Sequence, residues 1–131
     1  MNVAVFIKYF ARILTVFLIL PLHECAHAWV AKKMGDDTAS LSGRITVNPL
    51  AHIDIIGCIL IVLTGFGWAK PVPINPSRMK DSRLGITLTA LAGPVSNLLA
   101  AFVMMVVLQI LYGLGVFELS TSMSYLLLLL K

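Results

Sequence analysis

Between Pro21 and Trp29 the chain reads PLHECAHAW, which sets His23, Glu24 and His27 in an H-E-x-x-H pattern. On a helix, residues four apart share one face, so the two imidazoles can grip one ion. Glu24, one step round, can reach a water beside that ion. Zinc suits this donor set. Two imidazoles and one further protein ligand leave a fourth position open for a water whose pKa falls to about 7, and a general base makes it an attacking hydroxide. The bland alternative is a pair of helix histidines satisfied by backbone or water. A Glu flanked by two His inside an apolar helix is costly without a partner, and such residues mark functional sites. The pattern therefore predicts His23 and His27 as metal ligands and Glu24 as catalytic base. Paired His and Glu in a helix also suit metal binding or proton relay without hydrolysis, and that reading stays open here.

The elements that must position this triad belong to a bilayer. Of the 131 residues, 59% are hydrophobic and 12% charged, with a mean hydropathy of +0.94. A soluble domain carries about 25% charged residues and about 45–50% apolar ones, so this chain has too few polar side chains to coat a water-facing surface. The net charge of +4 and the pI near 9.3 come from Lys and Arg lying mostly between apolar blocks. That is the pattern of membrane-flanking loops, and no basic stripe interleaved with aromatics suggests a nucleic-acid partner. Cys25 and Cys58 lie inside apolar stretches and form no disulfide framework.

The expected fold is a mostly α membrane protein of one unit, residues 1–131, with about three transmembrane helices, a re-entrant segment and a small β element. A spanning helix needs about 20 residues. The first apolar run reaches that length only by including the polar cluster after Pro21, which gives a helix over 3–33. A second helix is expected over 84–112, bent near Gly93-Pro94, and a partial helix over 119–130. Residues 55–69, with Gly57, Gly65 and Gly67, are either a short span or a re-entrant hairpin. As a span, they leave six basic residues on one side (Lys8, Arg12, Lys70, Arg78, Lys80, Arg83) against three (Lys32, Lys33, Arg44). As a re-entrant segment, they leave seven against two, and the stronger asymmetry places both loops in the cytoplasm and the N-terminus outside. Lys8, Arg12 and the following apolar run also imitate a cleavable signal peptide, but cleavage at Ala26-x-Ala28 would discard the motif and leave a remainder too apolar for secretion.

Polar and apolar residues alternate from 38 to 48, which predicts a strand with one wet face. The segment 70–75, KPVPIN, is expected to be extended, because Pro71 and Pro73 exclude a helix and remove ladder donors. Asp54, with His52 behind it, precedes the re-entrant run, where a turn or cap role is the commoner one for Asp. Ala90, Ala92, Gly93, Ser96 and Ala100 would let their helix approach the metal-bearing one closely, and Trp29 and Trp68 read as interfacial anchors.

Three stretches in this order, HECAHAWVAKKMGDDTASLSGRITVNPLAHIDIIG, GFGWAKPVPINP and LTALAGPVSN, resemble the site-2 protease family of intramembrane zinc metalloproteases in its compact bacterial and archaeal form. The resemblance covers roughly residues 20 to 100. It implies zinc held by His23 and His27, Glu24 as base, and peptide-bond hydrolysis within or near the transmembrane helix of a membrane-protein substrate. It also implies that GRITVNP, with Arg44 and Asn48, and KPVPIN, with Pro71 and Pro73, lie beside the active site, and that Asn97 faces it from the next core helix. Family members take a third zinc ligand from an Asp-Gly pair on a later helix. No Asp-Gly pair occurs in these 131 residues, and Asp54 is the nearest candidate. With Lys32 at the cytoplasmic boundary, His27 and His23 lie roughly 7 to 14 Å beneath it at 1.5 Å per residue.

Overall fold

A computed structural model describes residues 2–114. Its frame is two long antiparallel helices, α1 over Val3–Lys33 and α4 over Ser82–Gly113, both long and apolar enough to cross a membrane. The intervening residues carry a single helical turn, α2, over Thr38–Leu41, and a shorter helix, α3, over Ile55–Thr64. The expected partial helix over 119–130 lies outside the described residues.

α1 passes through Pro21 without breaking. A proline removes one amide donor and its ring crowds the carbonyl four residues back. Here a π-helical turn, Thr15–Ile19, precedes it and accommodates that ring within a continuous helix. The helix ends where Gly35 takes a φ of +107°, which lets the Gly35 and Asp36 amides turn back onto the carbonyls of Lys32 and Ala31 at 3.1 and 3.0 Å. α4 starts at the Asp81 cap, whose carboxylate accepts from the Leu84 amide at 2.9 Å.

The two long helices meet through small residues. Ala28 and Ala31 of α1 are fully buried, as are Gly85, Thr89 and Gly93 of α4. Large apolar side chains such as Leu98, Phe102 and Met105 face outward. Small residues at such a contact let the two backbones approach closely.

α3 and the residues after it form a hairpin. Asp54 caps the helix by accepting from the Gly57 amide at 2.9 Å, and Gly65, at φ +91°, ends it. The chain then returns along the helix it has left. A Cβ on Gly67 would fall 2.6 Å from Ile61 and 3.0 Å from its amide nitrogen, so the returning segment lies against α3 with no room for a side chain. The two ends are joined where the Lys70 amide donates to the His52 carbonyl at 2.9 Å. At the far tip, Arg12 of α1 donates to the carbonyls of Val62 and Leu63, both at 2.9 Å, and of Thr64 at 3.2 Å. The guanidinium thus serves the orphan carbonyls at the end of α3.

The predicted strand over 38–48 does not form, and no strand occurs among the described residues. Asp36 accepts from the amide and hydroxyl of Thr38, which starts the α2 turn. Gly43, at φ +68°, ends it as the Ser42 and Arg44 amides return to the carbonyls of Thr38 and Ala39 at 3.1 and 2.9 Å. The alternation is real, but its polar members satisfy their own turn rather than a ladder. Thr46 and Asn48 then cap the loop that follows, where Asn48 accepts from Leu50 at the Pro49–Ala51 turn.

Candidate metal centre

His23 and His27 lie one turn apart on α1, and their Nε2 atoms converge to 3.0 Å. α4 sets that convergence. His27 Nδ1 lies 2.6 Å from the Thr89 carbonyl. A carbonyl can only accept, so this nitrogen carries the proton and His27 Nε2 presents a bare lone pair. The proton of the 3.0 Å contact therefore sits on His23 Nε2. One turn along α4, Gly93 faces both rings. A Cβ there would stand 2.5 Å from Nε2 and Cε1 of His23 and closer still to His27 Nε2.

These residues fit two ligands of a zinc site. Zinc–nitrogen bonds of about 2.0–2.1 Å at a tetrahedral angle separate two nitrogens by about 3.3 Å, so the rings need to part by only a few tenths of an ångström. The Thr89 carbonyl is the kind of outer partner that fixes a ligating histidine's tautomer. Among the described residues, no group of three or more His, Cys, Asp and Glu is assembled to hold a metal ion. Glu24 is half-buried beside the pair on the same helix. The backbone of Thr46 lies against the Cys25 thiol, which brings the 44–52 loop up to the metal-bearing turn.

The other residues singled out from the sequence have specific places. Asp54 is engaged as the α3 cap. His52 is fully buried and donates from Nε2 to the Thr46 carbonyl at 2.8 Å. Arg44, also buried, donates to the carbonyls of Ala51 at 2.7 Å and Lys70 at 3.3 Å, tying the loop to the start of the KPVPIN segment. That segment is irregular, with Pro71 exposed and Pro73 half-buried. Its far end is held by Asp36, whose other carboxylate oxygen accepts from the Asn75 amide at 2.6 Å. Asn97 lies on α4 one turn beyond Gly93, and its Oδ1 is buried without a partner.

Thr89 is the contributor that the sequence did not disclose, and Gly93 stood out there as a small packing residue and, with Pro94, as a bend. Their four-residue spacing, ending at the glycine beside Pro94, is the signal that could have found them.

No protein-family model matches the chain, and no solved structure matches it at a significant level. Among curated proteins, it is 47% identical over 103 residues to the Bacillus subtilis (strain 168) protein named "Putative zinc metalloprotease YwhC". The match takes in 79% of this chain and 47% of that protein, so the chain spans about half the length of the curated relative it matches.

Proposed function

We propose that this chain is the metal-bearing core of a membrane-embedded zinc endopeptidase of the site-2 type, cutting peptide bonds in or near the transmembrane helix of membrane-protein substrates. The observation that carries this reading is the convergence of His23 Nε2 and His27 Nε2 to 3.0 Å on an H-E-x-x-H helix. The zinc metalloprotease name of the 47% identical relative supports it. In this reading α1 and α4 cross the bilayer, and the α3 hairpin dips in and returns to the side it left. Both basic loops then lie in the cytoplasm, with the metal centre reached by water from that side.

His23 and His27 would hold the zinc, which when bound supplies a Lewis acid and acidifies a water. Glu24 would act as the base, taking a proton from the attacking water and returning it to the leaving amine. A substrate helix must unwind first, because its carbonyls are already hydrogen-bonded. The Lys70–Asn75 segment, beside the loop that Arg44 and Asn48 brace, would hold the opened stretch by strand addition. The test is Glu24→Gln in a cleavage assay on a single-span membrane reporter. Activity should fall about 10²–10⁴-fold with zinc content unchanged, and full cleavage by the variant would refute the mechanism. A second reading, favoured because no third ligand stands with the pair among the described residues, is a metal-binding membrane protein without hydrolysis. It predicts zinc bound and no reporter cut.

A further inference from the structure

Four buried polar side-chain atoms lack a hydrogen-bond partner among the described residues, and three of them, His23 Nδ1, Thr89 Oγ1 and Asn97 Oδ1, belong to the α1–α4 contact. Buried orphan groups are rare enough that each calls for an explanation. For His23 Nδ1 and Asn97 Oδ1 one explanation covers both. As the rings stand, the Thr89 carbonyl fixes the proton of His27 on Nδ1, so His23 Nε2 carries the proton shared at 3.0 Å. His23 Nδ1 is then a bare acceptor, and an acceptor finds no bond with the amide oxygen of Asn97.

Metal binding reverses this. Both Nε2 lone pairs are then committed to the ion, and the proton of a neutral His23 must move to Nδ1, which becomes a buried donor in need of an acceptor. Asn97 is placed to supply it. The two helices run antiparallel, with His27 level with Thr89 and His23 packed on Gly93. Asn97 follows Gly93 by one turn on the same face. Helical side chains lean toward the N-terminus of their own helix, so the Asn97 amide reaches back over Gly93 toward His23. Thr89 leans the opposite way from His23, toward Gly85.

We propose that Asn97 is a positioning residue for the metal site, its Oδ1 accepting the Nδ1–H of His23 when both imidazoles ligate, as the Thr89 carbonyl does for His27. α4 thereby provides one outer acceptor for each histidine, eight residues apart with Gly93 midway. This inference rests on the zinc reading and adds to it the residue that sets the second ligand's tautomer. Removing such a partner weakens metal binding about 10–100-fold.

The test is Co²⁺ titration of the detergent-solubilised chain, followed by its visible absorption and competed with Zn²⁺. Asn97→Leu should bind about 10–100-fold more weakly. Asn97→Asp, which keeps an acceptor on the same stem, should stay within a few-fold of the parent. Ser96→Ala, whose hydroxyl serves the Gly93 carbonyl, should bind as the parent does. If Asn97→Leu does not fold, Asn97→Ser reports the same loss with little change in packing. Parent-like affinity in Asn97→Leu overturns the proposal even where cleavage is lost, because Asn97 would then act on substrate. Equal weakening in Ser96→Ala overturns it also, because the loss would then report helix packing rather than the Asn97 acceptor. Absence of metal binding in the parent overturns the zinc reading itself, and this inference with it.

Discussion

Gly93→Ala probes the helix contact on which the metal pair depends. A Cβ at this position would lie 2.5 Å from Nε2 and Cε1 of His23 and nearer to His27 Nε2, against 3.4 Å or more for ordinary contact. Roughly 1 Å must therefore be found. Neither ring can yield freely, because His27 is tied to the Thr89 carbonyl at 2.6 Å and His23 abuts His27. Overpacking of this kind costs about 1–3 kcal/mol, while replacing a helical glycine by alanine returns up to about 1 kcal/mol. The net expectation is a loss of up to about 2 kcal/mol in stability. Metal affinity should fall further, at least about tenfold, because the displacement acts on both ligand atoms. Thermal unfolding in detergent and Co²⁺ titration measure the two effects. Gly85→Ala is the comparison, since the atoms it meets belong to the Met79 side chain, Sδ nearest, and not to the histidine pair. A Gly93→Ala protein with parental stability and affinity would show that the close approach at Gly93 does not set the site.

Two further outcomes follow from the loops. Arg12→Met removes the donors serving the carbonyls of Val62, Leu63 and Thr64, and should cost about 1–2 kcal/mol and speed hydrogen exchange in the last turn of α3; unchanged exchange there would dismiss the clasp. For Asp36, burial alone would push its carboxyl up, but the Thr38 hydroxyl, the Asn75 and Thr38 amides and the Arg78 guanidinium together hold it below its ordinary value. The folded state thus favours the carboxylate, so this contribution is full above the ordinary Asp range and is lost as pH falls through the lowered value. Asp36→Asn should lose about 1–3 kcal/mol at neutral pH and flatten the acid limb of the unfolding curve, and an unaltered acid limb would place that sensitivity elsewhere.

What could be read from the sequence was what the chain settles locally. The H-E-x-x-H spacing puts two imidazoles on one face of any helix, whatever packs against it. Hydropathy and the Gly-Pro signals mark the long apolar segments for the same reason. The 38–48 stretch misled because period-2 alternation records which residues are polar, not what they bond. Asp36, two residues before Thr38, diverts it into a helical turn. The Arg12 clasp links residues about fifty positions apart, and the His27–Thr89 bond links residues 62 apart. No local pattern encodes either.

The α1–α4 contact answers two demands that would otherwise conflict. Apolar surroundings penalise each unpaired polar group, yet a metal site needs imidazoles with free lone pairs in the same place. Small residues resolve this: Ala28, Ala31 and Gly93 bring the backbones close enough that a main-chain carbonyl, at Thr89, can serve as a partner for His27. A larger residue at Gly93 would restore ordinary helix spacing and withdraw that carbonyl from reach. Of the four buried polar side-chain atoms without a partner among the described residues, three lie at this contact, on His23, Thr89 and Asn97. Their lack of a partner marks the place where the apolar contact gives way to chemistry.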